Sequence, residues 1–174
     1  MRLKLRLLLL AIASFFQERL SVLDENVLSL RVLPNDIDVF RISDDRYLSL
    51  MDLGRFNIAF RAGLFWTLIK KRWFPIARVA AVRFRYPLKL FEKYQLRSRV
   101  VYWDAEWFWT EHRFERNSRT TAIGITRVAL IGPRGIVPVA EIVAAAGESV
   151  TPPPIPQIIA DLLNVENQIR GMQL

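Results

Sequence analysis

The chain has 174 residues, and its composition is that of one folded domain rather than a disordered segment. Hydrophobic residues make up 52 % and charged residues 24 %, which is enough apolar material for one ordinary core. The absence of cysteine excludes disulfides, thiolate metal sites and a cysteine nucleophile. The single histidine, His112, excludes a metal site built from several histidines of one chain. We therefore expect no metal ion and no resident cofactor.

The net charge of +8 is concentrated in one segment. From Lys70 to Arg99 the chain has ten Lys or Arg residues and one acid, Glu92, which gives a local charge of +9. Basic surfaces attract nucleic acids, anionic lipids and phosphate-bearing ligands. Surfaces that bind nucleic acids usually also expose aromatic residues or a recognition helix. Here the aromatic residues alternate with the charges and are needed inside, so we expect no nucleic-acid partner.

Residues 1–24 form a predicted N-terminal segment with a basic start and an apolar run from Leu7 to Phe16. As a helix, ten residues rise only about 15 Å, roughly half of a bilayer's hydrocarbon core. The apolar stretch before a signal-peptidase-like Ala11-Ile12-Ala13 site is also shorter than in most signal peptides. Two interpretations remain open: an interfacial helix on an anionic membrane through residues 1–20, or a helix that covers apolar surface of its own domain. We expect a cytoplasmic protein, with peripheral membrane attachment under the first interpretation.

Residues 25–148 have the pattern of one α+β domain. A strand over Leu28–Leu33 precedes a turn and a long helix from Tyr47 to Arg61, with Ser43 as its N-cap and Gly63 as its end. This helix is apolar on most sides, so we expect it to be buried. A two-residue period then predicts antiparallel strands over residues 79–86, 95–102, 107–114, 120–131 and 136–143. One sheet wrapped around one helix is the arrangement that buries such a helix.

Two further segments follow the domain. Residues 149–156 are a proline-rich spacer, and residues 157–174 contain an amphipathic helix from Gln157 to Arg170.

Arginines occupy alternate positions of the first two strands after the helix. If these strands pair through the connection at residues 87–93, the side chains of Arg83, Arg85, Arg97 and Arg99 cluster and can bind phosphates. The alternative is the solvated outer face of a sheet.

Four motifs occur together in one order along residues 28–145. They are Arg31-Val-Leu-Pro-Asn-Asp-Ile-Asp38, Arg46-Tyr-Leu-Ser-Leu-Met-Asp-Leu-Gly-Arg55, Arg83-Phe-Arg-Tyr-Pro-Leu-Lys-Leu-Phe91 and Glu111-His-Arg-Phe114. In this combination the chain resembles the hotdog-fold acyl-CoA thioesterase superfamily, in the branch similar to 4-hydroxybenzoyl-CoA thioesterase. The resemblance implies a long central helix wrapped by a curved antiparallel sheet. It also implies a homodimer or tetramer in which the acyl-CoA sites form between subunits.

The resemblance also implies the site residues. A carboxylate just after the first strand faces the thioester carbonyl in that family, and Asp38 matches it. A carboxylate can attack a thioester or deprotonate a water that attacks it, and N–H groups at the start of a helix can stabilise the oxyanion. The candidate substrate-binding residues are Tyr47, Asp52, Arg83 and Arg85. Coenzyme A enters only as part of the substrate.

The segment from Asp38 to Tyr47 departs from the family pattern Asp-x-x-x-His-x-Asn-Asn-x-x-Tyr. It is one residue shorter, lacks the histidine and has Asp44 and Asp45 in place of the amide pair. Two negative charges near the helix start oppose an oxyanion there. Two functions therefore remain open: hydrolysis of a fatty or aromatic acyl-CoA thioester, or impaired catalysis with binding of acyl-CoA or acyl chains at a membrane surface. The lone strand histidine, His112, is expected to be structural.

Overall fold

The structure is a computed structural model that describes residues 4–38 and 40–172. Residues 1–3 and 173–174 of the two predicted terminal segments lie outside the described residues. The elements in chain order are α1 (Lys4–Ser14), β1 (Asn26–Arg31), a 3-10 turn (Pro34–Asp36), β2 (Ile37–Asp38), β3 (Arg41–Ile42), α2 (Asp44–Arg61), α3 (Phe65–Lys71), β4 (Phe74–Phe84), β5 (Lys93–Trp103), β6 (Phe108–Arg116), β7 (Arg119–Gly132), β8 (Gly135–Ile136), α4 (Val139–Ala145) and α5 (Gln157–Gly171).

An antiparallel sheet with the strand order β1-β5-β6-β7-β4 packs against α2, and β8 also pairs with β7. Register shifts between Ala77 and Val79, between Val100 and Tyr102, and between Phe114 and Glu115 interrupt the ladders. Such bulges bend strands and increase their twist, which helps a sheet to curve around a helix. The predicted α+β architecture, a long central helix wrapped by an antiparallel sheet, is confirmed.

The helix α2 is buried because its apolar side chains meet inward-facing strand positions. Leu50, Met51 and Leu53 are at most 2 % exposed and belong to one cluster with Leu96 and Phe114 of the sheet. Ser43 occupies the N-cap position as predicted, although its side chain makes no capping hydrogen bond. At the other end the backbone of Gly63 has a φ of +83°, a left-handed conformation that favours glycine and ends the helix.

The predicted strand over residues 136–143 is wrong. Of these residues only Ile136 belongs to a strand, β8, and the helix α4 begins at Val139 with Pro138 as its N-cap. Val139, Ile142 and Val143 are the buried residues of α4, at helical spacing. A short apolar run fits a strand and a buried helix equally well, so periodicity alone could not separate them.

The first two long strands after the central helix do not pair with each other, so the condition for an arginine cluster is not met. β4 pairs with β7, while β5 pairs with β1 and β6, so β4 and β5 are separated by the width of two strands. The helix α3 between α2 and β4 was not predicted.

The helix α1 packs one of its faces onto the domain, so the interpretation of a helix that covers its own domain holds for that face. Leu7 and Leu10 contact the main core cluster, and Ala11 is buried. Arg6 donates hydrogen bonds to a carboxylate oxygen of Asp36 at 2.6 Å and to the carbonyl of Arg31 at 3.1 Å. Within residues 4–38 and 40–172, no helix combines the length and the hydropathy that a membrane span requires.

The C-terminal helix α5 begins where it was predicted and lies against the sheet. Ile159 is fully buried, and a carboxylate oxygen of Glu166 accepts a hydrogen bond from Arg127 of β7 at 2.6 Å. The other carboxylate oxygen of Glu166 lies 2.9 Å from Nε of Arg78 on β4. The helix is therefore joined to two neighbouring strands.

Candidate active site

A cavity of about 100 Å³ lies between the C-terminal half of α2 and the sheet. Most of its lining is apolar, from residues such as Ile58, Leu64, Leu68, Phe108, Val128 and Ile142. Three of its lining residues are polar: Asp52, Arg55 and Thr110. A mostly apolar pocket with a few convergent polar groups is typical of a small-molecule site.

Asp52 and Arg55 form an ion pair on adjacent turns of α2, since residues three apart share a helix face. The side chain of Asp52 is 54 % exposed, whereas that of Arg55 is only 12 % exposed. Desolvation raises the pKa of Asp52 and lowers the pKa of Arg55, while their mutual attraction opposes both shifts. The carboxylate is therefore accessible and is held beside a cation at the wall of an apolar cavity.

Behind this pair lies a buried network of hydrogen bonds centred on His112. Its Nδ1 lies 2.9 Å from the hydroxyl of Ser98, and its Nε2 lies 3.1 Å from that of Thr110 and 3.3 Å from that of Thr126. Arg55 donates to the hydroxyl of Thr126 at 2.9 Å, which connects the network to the ion pair.

Burial, together with the positive charge of Arg55, lowers the pKa of His112 well below its ordinary value. The imidazole is therefore neutral at physiological pH. The hydroxyl of Thr126 accepts from Arg55, so its proton can be donated to Nε2 of His112, and Nδ1–H then donates to Ser98. The expectation that His112 is structural fits this position, because the ring is completely buried.

The close approach of α2 to this network requires Gly54. A Cβ atom at Gly54 would lie 2.3 Å from the hydroxyl oxygen of Ser98 and 3.3 Å from Nδ1 of His112. A glycine on the buried face of the helix thus lets its backbone lie against β5 and β6.

Asp38 lies apart from this cavity, at the end of β2. It is exposed, and its backbone carbonyl accepts a hydrogen bond from the N–H of Phe40 at 2.7 Å. The preceding acid, Asp36, is buried and bonds Arg6 and the N–H of Leu33, with Arg46 at 3.5 Å. Asp36 thus stabilises the fold through buried contacts, whereas Asp38 is accessible to solvent.

Tyr47 is buried in the core rather than placed on a surface. Its ring meets Phe84 and Phe114 edge-on, with centroid separations of 5.0 and 4.8 Å. Burial raises the pKa of Tyr47 to about 12. Its side chain supports the packing of α2 on the sheet.

Of the two alternatives for the arginines, the cluster of four does not form, because β4 and β5 are not neighbours. Arg83, on β4, and Arg85, just after it, are both exposed. Arg97 lies instead on the outer face of β5 and bonds Glu25 at 2.7 Å and Glu115 at 2.9 Å. Its charge is therefore compensated.

The sequence interpretation missed the residues that surround His112. The available signal was a set of polar residues at alternating positions of the predicted strands, namely Ser98, Thr110 and Thr126 with His112. Their buried positions in three adjacent strands make them one network. Within residues 4–38 and 40–172, no group of three or more acidic or histidine side chains is arranged to hold a metal ion.

The central helix, the curled antiparallel sheet around it and the cavity between them define a hotdog fold. A family model described as the thioesterase-like superfamily matches residues 32–161. The chain belongs to this superfamily.

The chain is also similar to curated proteins in sequence and to a solved structure in fold. The chain is 32 % identical over 114 residues to Protein THEM6 of Xenopus laevis, which covers 64 % of this chain and 55 % of that protein. It is 35 % identical over 116 residues to Protein THEM6 of Danio rerio, which covers 66 % and 57 %. The chain thus spans just over half the length of these relatives. The solved gentisyl-coenzyme A thioesterase BH1999 shares the fold, with a TM-score of 0.64, 22 % identity, and coverage of 71 % of this chain and 100 % of that one.

Proposed function

We propose that this protein hydrolyses acyl thioesters of coenzyme A. The observation that carries the proposal is the apolar cavity with Asp52, Arg55 and Thr110 in its wall, in a chain of the thioesterase-like superfamily. A similarly folded protein is described as a gentisyl-coenzyme A thioesterase, which supports a coenzyme A thioester as the substrate class. The acyl group, fatty or aromatic, occupies the apolar cavity, and the coenzyme A portion remains outside.

The chemistry requires one accessible carboxylate beside the thioester carbonyl. The carboxylate takes a proton from a water molecule while the water oxygen bonds to the carbonyl carbon. The tetrahedral intermediate then expels the thiolate of coenzyme A, which takes the proton back from the aspartic acid, and the carboxylic acid product is released. A cation near the carbonyl oxygen stabilises the oxyanion; Arg55 is the cation in the cavity wall that can do this.

Two carboxylates are candidates for the base. Asp38 matches the family position and is exposed, but it belongs to a short hairpin outside the cavity lining. Asp52 lies in the cavity wall on a rigid helix, and burial raises its pKa, which makes it a stronger base than a free carboxylate. We propose Asp38 as the catalytic residue suggested by the motif and Asp52 as the competing residue suggested by the cavity.

Exposed basic residues at the C-terminal end of β4 can hold the phosphates of coenzyme A. Arg83 and Arg85 form no ion pair among the described residues, and a guanidinium group makes bidentate contacts to phosphate. Tyr47 is proposed to act indirectly, through the packing of α2, because its side chain is buried.

The proposed assembly is a homodimer. β4 forms one edge of the sheet among the described strands, and it presents exposed apolar side chains such as Phe74 and Phe84. An unpaired edge of this kind can pair with a second copy. The subunit mass in solution, measured by light scattering, tests this arrangement.

Release of free thiol from a panel of short, long and aromatic acyl-CoAs tests the activity. We expect turnover by the parent protein, and a loss of about 100-fold or more in Asp38→Asn or in Asp52→Asn, whichever removes the base. Asp161→Asn, an exposed aspartate on α5, is the matched control and should leave turnover unchanged. Turnover that survives in both single variants and in the double variant would contradict a carboxylate mechanism at either position.

A second candidate function is binding of acyl-CoA or acyl chains without turnover. Asp44 and Asp45 favour it, because both are exposed in the first turn of α2, where negative charge opposes an oxyanion. Calorimetric binding of a non-hydrolysable acyl-CoA thioether, together with no thiol release from any acyl-CoA, would favour this function over hydrolysis.

A further inference from the structure

The outward face of α1 is a continuous apolar stripe. Leu5, Leu8, Leu9, Ile12 and Phe16 are 49–87 % exposed, and their spacing of three or four residues places them on one side of the helix and of the turn that follows it. The opposite side is occupied, because Leu7, Leu10 and Ala11 pack on the domain. The orientation of the stripe is therefore fixed by the fold.

A second helix extends this stripe. The ring of Phe15, which follows α1, lies 5.3 Å from that of Phe65 and 6.3 Å from that of Trp66 on α3. Trp66 and Ile69, one turn apart on α3, are 62 % and 56 % exposed. The six residues at positions 5, 8, 9, 12, 15 and 16, with Trp66 and Ile69, thus form one patch, which we call the α1–α3 apolar surface.

The charged residues of the two helices themselves are all basic, although Glu141 of α4 pairs with Lys71 of α3 at 2.8 Å. Neither α1 nor α3 contains an acidic residue. Lys4 begins α1, and Lys70 and Arg72 follow Ile69 at the end of α3; all three are exposed. Amphipathic helices that lie in the bilayer interface combine apolar residues, aromatic residues and basic residues in this way.

We propose that the α1–α3 apolar surface docks onto an anionic lipid bilayer, with the two helices lying in the plane of the interface. The apolar side chains enter the boundary of the acyl chains, and Lys4, Lys70 and Arg72 contact lipid phosphates. α1 has 11 residues and a length of about 16 Å, so it lies on the bilayer rather than crossing it. Because α3 contributes Trp66 and Ile69, the surface includes part of the folded domain and not only the N-terminal helix. The docking does not depend on acyl-CoA turnover.

Co-sedimentation with lipid vesicles tests the proposal. The full chain is mixed with vesicles of phosphatidylcholine alone, and with vesicles of equal parts phosphatidylcholine and phosphatidylserine. We expect binding to the mixed vesicles that weakens as salt is added. Leu8→Glu and Trp66→Glu should each weaken it at least about tenfold, because full burial of one such side chain contributes more than a factor of ten in affinity.

Ile169→Glu is the matched control, since Ile169 is an apolar residue of α5 with 54 % exposure outside this surface. It should bind vesicles like the parent protein. Circular dichroism must show that every variant remains folded, and the high exposure of the substituted residues makes this the expected result.

Three results would overturn the proposal. The first is absence of binding to the mixed vesicles. The second is unchanged binding of Trp66→Glu, because α3 would then not belong to the surface. The third is a parent protein that ignores vesicles while Leu8→Glu dissociates an oligomer, because the occupant of the surface would then be a second copy of the chain.

Discussion

Both faces of strand β6 have polar side chains, which are buried on the inner face and partly exposed to water on the outer face. On the inner face, His112 and Thr110 are almost completely buried. Nδ1 of His112 lies 2.9 Å from the hydroxyl of Ser98, and the hydroxyl of Thr110 lies 2.7 Å from that of Thr126. On the outer face, Arg113 is 32 % exposed and lies 2.6 Å from Glu25 and 3.1 Å from Glu111.

The difference lies in the access of water. Groups on the inner face depend on fixed protein partners, and a lost partner leaves a buried polar atom unsatisfied. Groups on the outer face can exchange a lost ion pair for water, and salt screens their attraction. Similar numbers of polar contacts on the two faces should therefore contribute very differently to the free energy of unfolding.

The largest effect is expected from Thr126→Val, which keeps the shape of the side chain and removes its hydroxyl. The guanidinium of Arg55 and the hydroxyl of Thr110 each lose a buried partner. We expect a loss of about 3 kcal/mol in the free energy of unfolding, measured by denaturant titration. Thr126→Ser keeps the hydroxyl and should lose far less; equal losses in the two variants would contradict the importance of the network.

Gly54→Ala is expected to lower the free energy of unfolding by about 2 kcal/mol. In an exposed helix the same change stabilises, but here the new methyl group meets Ser98. The double variant Gly54→Ala with Ser98→Gly should recover part of the loss. A stabilised single variant would show that α2 lies further from the sheet than described.

The pH dependence of stability should reveal the neutral His112. Its pKa in the folded protein lies below the ordinary value of 6.5, so the unfolded chain binds the proton more readily. Stability is therefore constant above about pH 7 and falls as the pH decreases through about 6.5, with a slope of at most about 1.4 kcal/mol per pH unit.

His112→Gln should reduce this slope, and unfolding titrations from about pH 7.5 to about pH 5.5 measure it. The raised pKa of Asp52 contributes with the opposite sign, because the folded protein then binds the proton more readily. The variant His112→Gln is therefore compared with the protein that has His112, and both carry Asp52→Asn. An unchanged slope without the histidine would assign the pH dependence to other groups.

The smallest effect is expected on the outer face. Arg113→Gln removes ion pairs to Glu25 and Glu111, yet we expect a change below about 1 kcal/mol because water replaces the lost partners. The difference between this variant and the parent should shrink further in concentrated salt. A loss as large as that of Thr126→Val would remove the distinction between the two faces.

The sequence was sufficient to predict the elements whose periodicity is strong. The strands around residues 95–102 and 107–114 and the long helix ending before Gly63 are confirmed, since apolar alternation and a helix stop leave few alternatives. The position of β4 could not be predicted in the same way. Consecutive strands pair in most folds, and no local signal shows that the segment at residues 87–93 separates β4 from β5 instead of joining them.

The candidate site was predictable only in part. Asp52 and Arg55 are three residues apart on a predicted helix, so their contact follows from helix geometry. The meeting of Thr126 with His112 and Thr110 depends on the register between β6 and β7, which side-chain packing and bulges set. Hydroxyl groups at inward positions signal a buried network, whereas its connectivity requires the fold.

The contact between Arg6 and Asp36 determines how this chain can be divided. The N-terminal helix supplies Arg6 as the ion-pair partner of the buried carboxylate of Asp36. This carboxylate also accepts a hydrogen bond from the N–H of Leu33 and lies 3.5 Å from Arg46. Without this helix, Asp36 would remain buried and would lose Arg6, one of its two arginine neighbours. The core residues that Leu7 and Leu10 cover would become exposed. The N-terminal helix is therefore an integral part of the domain. Its loss, in evolution or by truncation, requires compensating changes in the turn that contains Asp36.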